Sequence, residues 1–505
     1  MPVINSIVNW LNIKRIYNID LFMKYPFNVQ KETFTKLVSF ASETEWGSRY
    51  GYHEDMSIEE FQRNVPVQTY EDVKPYVDRL RKGEQNLLWP TEIKWFAKSS
   101  GTTSDKSKFV PVSNEALEDC HFRGAKDVLA IYCDNYPETN VLKGKTLTLG
   151  GSHQINNFSN QSYYGDLSAI LIENMPFWAT FIRTPSSRIA LIPEWEKKLE
   201  QLALHTVDEN VTSLSGVPSW VLVLIKYIVE RTGKKNILEV WPNLELFTHG
   251  GVSFLPYKEQ YRQFIPSDKM KYMETYNASE GFFGIQNDPS SEDMLLMLDY
   301  GIFYEFLPLD KINDPDPPVY TISDVETGKN YAILISTNSG LWRYMIGDTI
   351  YFTSLFPHKF KISGRTKHFI NAFGEEVIID NAEKALLEAC EKTGASIREY
   401  TAAPIFMKSN AQGAHEWLIE FEIEPSDHEL FNKTLDLALQ KCNSDYEAKR
   451  YKNITLAPPT IRYLAPGSFY KWFQKKGKLG GQNKMPRLSN DRRYVEELLA
   501  IIQKS

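Results

Sequence analysis

Three observations predict an α/β chain with a second, smaller α+β unit. Apolar runs alternate with helix-length segments through the middle of the sequence, glycine-containing turns stand where those runs end, and the pattern changes near Gly364. In order, residues 1 to about 90 read mainly as helices. Phe34, Leu37, Val38, Phe40 and Ala41 recur at helical spacing before a polar turn at Trp46-Gly47, which gives an amino-terminal helical layer. Trp95-Phe96-Ala97 and Phe109-Val110-Pro111-Val112 read as two strands joined by a polar loop. Ser113 or Asn114 then caps a helix to about Tyr132, with Glu115, Glu118 and Asp119 at its positive end. Leu117, Cys120, Gly124, Val128 and Ile131 share one face of it.

Strand, glycine turn and helix follow each other at Thr146-Leu147-Thr148-Leu149 before Gly150-Gly151. The pattern recurs at Leu214-Ser215-Gly216 before an apolar helix, and at 244–248 before Gly250-Gly251. This order predicts largely parallel pairing. From 294 to about 353 the pattern turns to hairpins, with Tyr320-Thr321-Ile322 and the run 331–335 split by the turn Glu326-Thr327-Gly328-Lys329. Beyond Gly364, Asp380 with Glu383 matches a capping box for a helix 381–392. Strand-like 400–407 and 417–423, a long helix 427–446 and a strand near 461–464 complete a small α+β domain. The predicted division is 1–363 and 364–505.

At 505 residues the chain is longer than one usual domain, and 11 Trp, 27 Tyr and 28 Phe supply a large core. A formal net charge of −7 without a long basic block argues against a nucleic-acid surface. Cys120, Cys133, Cys390 and Cys442 are scattered, so neither a zinc site nor a disulfide framework is indicated and a reducing cytoplasm is expected. Asn5, Asn9 and Asn12 interrupt any leader-like apolar run, and the most apolar stretch, 217–229, is short for a membrane span and carries Lys226. No membrane partner is expected.

The loop Ser99-Ser100-Gly101-Thr102-Thr103-Ser104-Asp105-Lys106-Ser107-Lys108 offers backbone N–H groups, hydroxyls and ammonium groups to an anion. It is not a Walker A loop. Lys106 stands where the second glycine is required, and a strand rather than a helix follows. A nucleotide loop of another kind and a solvated polar hairpin both remain open on the loop alone.

Two further segments bear on that choice: Tyr272-Met273-Glu274-Thr275-Tyr276-Asn277-Ala278-Ser279-Glu280-Gly281-Phe282-Phe283-Gly284 and Ser339-Gly340-Leu341-Trp342-Arg343-Tyr344-Met345-Ile346-Gly347-Asp348. With the loop and Gly364-Arg365-Thr366-Lys367, in this order, they resemble the adenylate-forming superfamily of luciferases and acyl-CoA synthetases. Ala97 to Thr103, Asn277 to Gly284 and Arg343 to Asp348 are most similar to the plant auxin-responsive acyl-acid amido synthetases and their bacterial relatives. The resemblance covers nearly the whole chain, including Val65-Pro66-Val67-Gln68-Thr69-Tyr70-Glu71-Asp72.

The resemblance implies a large adenylating domain, a small mobile domain and an amide ligase using ATP and Mg²⁺ on a small carboxylic acid and an amino acid. Ser99, Ser100, Gly101, Thr102 and Thr103 would hold phosphates, and Glu280 would carry Mg²⁺ beside Ser279. Tyr276 would stack on adenine and Asp348 would accept from the ribose hydroxyls. Lys367 would be the pivot of the small domain. Lys484, rather than Lys478, would reach the adenylating site, and Arg343 would join the catalytic group. Arg123, Phe122 and Phe282 would border the acyl site, with Lys126 nearby. Each has a bland rival: a surface glutamate, a core tyrosine, a turn aspartate, an arginine that only braces its loop.

Two departures stand out. Asp105 occupies a place commonly held by glycine, and Asn371 stands where luciferase-like members carry a second lysine. The latter weighs against thioester formation. The rivals are thus a thioester ligase of the same superfamily and a nucleotide-binding protein without turnover.

Overall fold

The computed structural model describes residues 2–100, 107–150, 156–159, 162–192, 194–252, 254, 257–312, 314–365, 369–375, 377–407, 412–453, 455–475 and 485–502. It begins with the expected helical layer, Pro2–Lys24, Pro26–Phe40, Glu45–Tyr50, Ile58–Asn64 and Tyr70–Arg81. Phe34, Leu37, Val38 and Ala41 are buried as the spacing requires. Phe40 is a correction: it is 52% exposed and rests its ring on Trp89 at the margin of the layer, 5.2 Å between centroids.

Among the described residues the centre is an eleven-stranded sheet. From one edge its order is Ile302–Pro308, Asn330–Thr337, Tyr344–Leu355, His358–Arg365, Met294–Leu296, Gly281–Ile285, Lys271–Ala278, Leu246–His249, Val211–Gly216, Lys145–Thr148 and Arg183–Thr184. The expectation of largely parallel pairing holds for one half only. The last five strands pair in parallel and the others antiparallel. The cause lies in the connections. Crossover helices such as Pro218–Thr232 return the chain to the same edge, whereas the later strands are joined by turns that reverse it. Parallel strands covered on both faces read as apolar runs, and Leu147, Leu214, Leu246 and Phe247 are all fully buried. Tyr320-Thr321-Ile322 does not form the expected strand. It contributes a single bridge, Tyr320 to Phe306.

A second sheet pairs Ser107–Val112, Trp95–Ser100, Ser162–Gly165 and Asn156–Ser159, so the polar loop does join two antiparallel strands. The carboxy-terminal part carries the antiparallel pair Ser396–Ile405 and Ala414–Ile423 with Thr460–Leu464 beside it. Its first helix is Ile379–Thr393 and starts earlier than the Asp380 cap predicts, because Asn381 Oδ1 accepts from the Ile378 N–H at 3.2 Å. The long helix expected over 427–446 is two, His428–Cys442 and Ser444–Arg450. Asp427 caps the first, and Asn443 breaks the run by accepting from the Tyr446 N–H at 2.8 Å.

One apolar cluster runs from Leu147, Leu214 and Ile225 through Tyr257 and Tyr261 to Phe373, Val377 and Trp417, so the carboxy-terminal elements share a core with the parallel half of the sheet. Polar contacts cross the same seam. Tyr257 donates to the Ala372 carbonyl at 2.6 Å and Gln260 to that of Met407 at 2.8 Å, while Lys449 lies 3.6 Å over the Trp220 ring.

Candidate active site

The hairpin of Lys271–Ala278 and Gly281–Ile285 turns at Ser279-Glu280, pairing Ala278 with Gly281 across a two-residue connection. Gly281 belongs there sterically: a Cβ on it would meet Ile302 Cδ1 at 2.7 Å. Glu280 and Ser279 are therefore fixed at a strand end, half-buried, by a hairpin whose return strand is fully buried.

Tyr276, on the first strand of this hairpin, donates its hydroxyl to Asp348 Oδ2, and both side chains are buried. Three strands stand between them in the sheet order. Four strand spacings on a flat sheet would part them by roughly 19 Å, so contact requires the sheet to coil strongly on this side. The Tyr276 ring packs edge-on against Phe283, 4.9 Å between centroids, and tilted against Phe360 at 6.2 Å. The expected adenine platform and ribose acceptor are thus one hydrogen-bonded unit.

The helix after the loop forms the neighbouring wall. Ser113 caps it as predicted, accepting from the Ala116 N–H at 3.0 Å, and its hydroxyl donates to the Asn338 carbonyl at 2.6 Å. The Ser113 N–H donates to Ser339 Oγ at 3.0 Å, which fastens the outgoing strand of the polar loop to the Ser339-Gly340 segment. The first turns, Ala116–Phe122, are π-helical before the α-helix Arg123–Asn135, an irregularity that often accompanies functional sites. The predicted face of Leu117, Cys120, Gly124, Val128 and Ile131 is buried. Phe122 and Phe282 are buried in the same apolar cluster, and the Phe282 ring lies so close that a Cβ on Gly124 would meet it at 2.5 Å.

Two arginines are already engaged within the protein. Arg123, about a third exposed, donates Nη2 to Asp119 Oδ1 at 2.7 Å and Nη1 to the Asp299 carbonyl at 3.0 Å. Arg343 is turned into the protein. Its Nε meets both Glu305 oxygens at 3.2 and 3.1 Å, and its Nη1 donates to the carbonyls of Gln62 and Val65 at 2.8 and 2.6 Å. Glu305 is fully buried and Arg343 nearly so. Arg343 also has φ +44°, outside the usual range for its residue type. Its contacts fit the bracing role weighed beside the catalytic one: the side chain ties this segment to the Gln62 and Val65 carbonyls, while the Gln68 N–H donates to the Arg343 carbonyl and the Met345 N–H to the Gln68 carbonyl, each at 2.9 Å.

Ser99 and Ser100 close the strand Trp95–Ser100, paired with Lys108 and Ser107. Gly101, Thr102, Thr103, Asp105, Lys367, Lys478 and Lys484 lie outside the described residues.

Three groups that sequence reasoning did not single out join this region. His121 Nδ1 lies 3.0 Å from Asn277 Oδ1 and ties the π-helical turn to the hairpin; burial pushes its imidazole down to about 4. His249 ends the strand Leu246–His249, stacks on Phe254 at 4.3 Å and is pushed by burial to about 3. Its register partner Glu274 is pushed up to about 7, chiefly by burial and then by the charge of Glu292. Gly250-Gly251 signalled the place, since a Cβ on Gly250 would stand 2.3 Å from the Thr275 carbonyl oxygen. Among the described residues no three His, Cys, Asp or Glu side chains cluster as a metal site. Glu280 is the carboxylate that the resemblance assigns to Mg²⁺, an ion that can take one carboxylate and fill its shell with phosphate oxygens and water.

Three matches to known families fall in order along the chain: the GH3 family N-terminal domain over residues 15–270, its central domain over 295–365 and its C-terminal domain over 380–493. The chain belongs to the GH3 family. Relatives of this GH3 chain include an indole-3-acetic acid-amido synthetase of Arabidopsis thaliana, 23% identical over 94% of this chain and 91% of the relative. A 4-substituted benzoates-glutamate ligase of the same plant is 23% identical over 91% and 92%. A jasmonoyl–L-amino acid synthetase of Oryza sativa subsp. japonica is also 23% identical, over 94% of each chain. Among solved structures, a GH3 acyl acid amido synthetase in complex with 2,4-DB aligns over 98% of this chain and 96% of its own, with a TM-score of 0.63 at 18% identity. A 2-hydroxyisobutyryl-CoA ligase aligns over 95% and 92% with a TM-score of 0.58 at 13% identity, so the adenylate-forming fold is shared.

Proposed function

We propose that this chain is an ATP-dependent acyl-acid amido synthetase. In the first half-reaction a carboxylate oxygen of the acid attacks the α-phosphorus of ATP, the bond to the β-phosphate oxygen breaks, and pyrophosphate leaves. In the second, the amine nitrogen of an amino acid attacks the acyl carbon, the carbon–oxygen bond to AMP breaks, and the nitrogen gives up a proton. The observation that carries this reading is the Tyr276–Asp348 unit. It joins two separate motifs at one point, beside the hairpin that bears Glu280.

The chain's residues then take these roles. The hydroxyls of Ser99, Ser100, Thr102 and Thr103 and the Gly101 backbone hold the phosphates, while Asp348, oriented by Tyr276, accepts from the ribose hydroxyls. Glu280 would hold Mg²⁺, which when bound would supply positive charge beside the phosphoryl oxygens. Phe122 and Phe282 give the acyl side an apolar wall. Lys367 lies at the pivot of the unit 364–505, whose rotation exchanges Lys484 for the acceptor's path.

The test is carboxylate-dependent exchange of labelled pyrophosphate into ATP over a panel of acids, followed by identification of the product formed with each amino acid. Exchange with amide formation is the expected result. Exchange with a product that needs coenzyme A would make this a thioester ligase, and no exchange with any acid would make it a nucleotide-binding protein.

A further inference from the structure

The carboxy-terminal part meets the ligand edge of the sheet at a short segment, Asn371-Ala372-Phe373, which follows the strand Phe369–Ile370. That strand pairs with Val377–Ile378, and the ladder ends at Ile370 and Val377. Beyond it a side chain shapes the backbone. Glu375, fully buried, accepts from the Ala372 N–H at Oε1, 3.2 Å, and from the Phe373 N–H at Oε2, 2.7 Å. His415 Nε2, equally buried, lies 2.8 Å from the same Oε1. A carboxylate taken out of water is costly unless donors meet its oxygens, and two of the donors here are the backbone of the segment itself. The Phe373 ring is pinned as well, since a Cβ on Gly413 would meet its Cζ at 2.2 Å. Gly374 has φ +88°, and a Cβ there would stand 3.3 Å from Cε of Lys449, the side chain that reaches Trp220.

The other side of this segment is docked on the parallel half of the sheet. The Ala372 carbonyl accepts from Tyr257 at 2.6 Å, and Asn371 Nδ2 lies 3.5 Å from the Gly251 carbonyl oxygen. Gly251 and Tyr257 come after the strand Leu246–His249, at the edge where open α/β sheets bind ligands. The same place touches the strand of Tyr276. Gly250 has no room for a Cβ against the Thr275 carbonyl, and Thr275 Oγ1 donates to the His249 carbonyl at 3.2 Å. A continuous run of contacts thus leads from Glu375 to the residue before Tyr276. Position 371 also selects the reaction step. It is where luciferase-like members carry their second lysine, which bears on the acceptor, and an acceptor enters only when the acyl group is transferred.

We propose that Glu375, held by His415, is a positioning residue for the second half-reaction: it shapes Asn371-Ala372-Phe373 so that this segment stays docked on Gly251 and Tyr257 while the amine attacks the acyl carbon. This rests on the amido synthetase reading and gives its transfer step a positioning group.

The experiment measures both half-reactions separately in the full chain and in its Glu375→Leu and Glu375→Gln variants, with the acid and amino acid that the unaltered chain prefers. Activation is read as pyrophosphate exchange, and transfer as single-turnover amide formation from the acyl-adenylate formed on the protein. Glu375→Leu should slow transfer on the order of ten- to a hundredfold, the scale of losing hydrogen bonds to a charged group, with exchange changed by less than about threefold. Glu375→Gln, which keeps one acceptor, should recover part of the loss. Hydrogen exchange followed by mass spectrometry should show the amides of 372 and 373 less protected in Glu375→Leu than in the unaltered chain. An equal loss in both half-reactions marks Glu375 as merely structural and overturns the proposal, as does an unchanged transfer rate. A loss confined to pyrophosphate exchange overturns it too, by moving the segment to the activation step. Should Glu375→Leu fail to fold by circular dichroism, Tyr257→Phe removes the docking bond from the opposite side and is held to the same split. Absence of exchange in the unaltered chain with every acid would refute the synthetase reading, whereas exchange without a split refutes the positioning role alone.

Discussion

Glu305 and Asp348 are two buried carboxylates reached from a single ten-residue motif, and one partner of each differs in kind from that of the other. Glu305 meets the guanidinium of Arg343, whose Nη1 is engaged by two backbone carbonyls. Asp348 takes the hydroxyl of Tyr276, a neutral donor with one hydrogen to give. The first arrangement is closed, and any exchange of partners leaves a bare charge in the core. The second joins the carboxylate to a phenol from a distant strand of the sheet rather than to a neighbouring charge. Within one motif, then, two equally buried carboxylates are held by different kinds of donor, and burial alone does not tell them apart.

The comparison breaks most visibly at Arg343. Arg343→Met strands the Glu305 charge and should cost about 3–5 kcal/mol in urea unfolding, whereas the double change with Glu305→Leu should recover much of it. A loss under 1 kcal/mol in the single variant would show that the pair is not an anchor. On the site side, Glu280→Ala should leave circular dichroism intact and lower pyrophosphate exchange on the order of a hundred- to a thousandfold; unaltered exchange would remove Glu280 from the metal role. Tyr276→Phe deprives Asp348 of one donor. It should cost about 1–3 kcal/mol of stability and raise KM for ATP more than it lowers kcat, and a KM that stays put would detach the pair from the nucleotide.

The smallest effect concerns pH. His121 and His358 are held near 4 and His249 near 3 by burial, below the ordinary value near 6.5 that the unfolded chain restores. The unfolded state thus binds more protons between those limits, and stability is full above 6.5 and falls as pH drops toward 4. Each such histidine should contribute about 1.4 kcal/mol per pH unit in that window. Urea midpoints at pH 7 and 5.5 check the slope, and His121→Gln should reduce it.

The sequence made local features legible where the physics is local. The Ser113 cap, the two strands that flank the polar loop and the apolar face from Leu117 to Ile131 all follow from spacing and residue type. Motif order pointed to Tyr276 and Asp348 as one region. The fate of Arg343 was hidden because its partner Glu305 is 38 positions away, and no periodicity announces a distant ion pair. Asn443 looked like one polar residue within a long helix, yet its side chain outcompetes the backbone at that point.

The coil that lets Tyr276 touch Asp348 has a mechanical corollary. Their bond closes a ring of backbone whose other members are the three intervening strands, so that side of the sheet resembles a cinched cuff more than an open fan. Pulling any one of those strands outward loosens the clasp, and substitutions at Phe360, well inside the cuff, should be felt at the Tyr276–Asp348 contact.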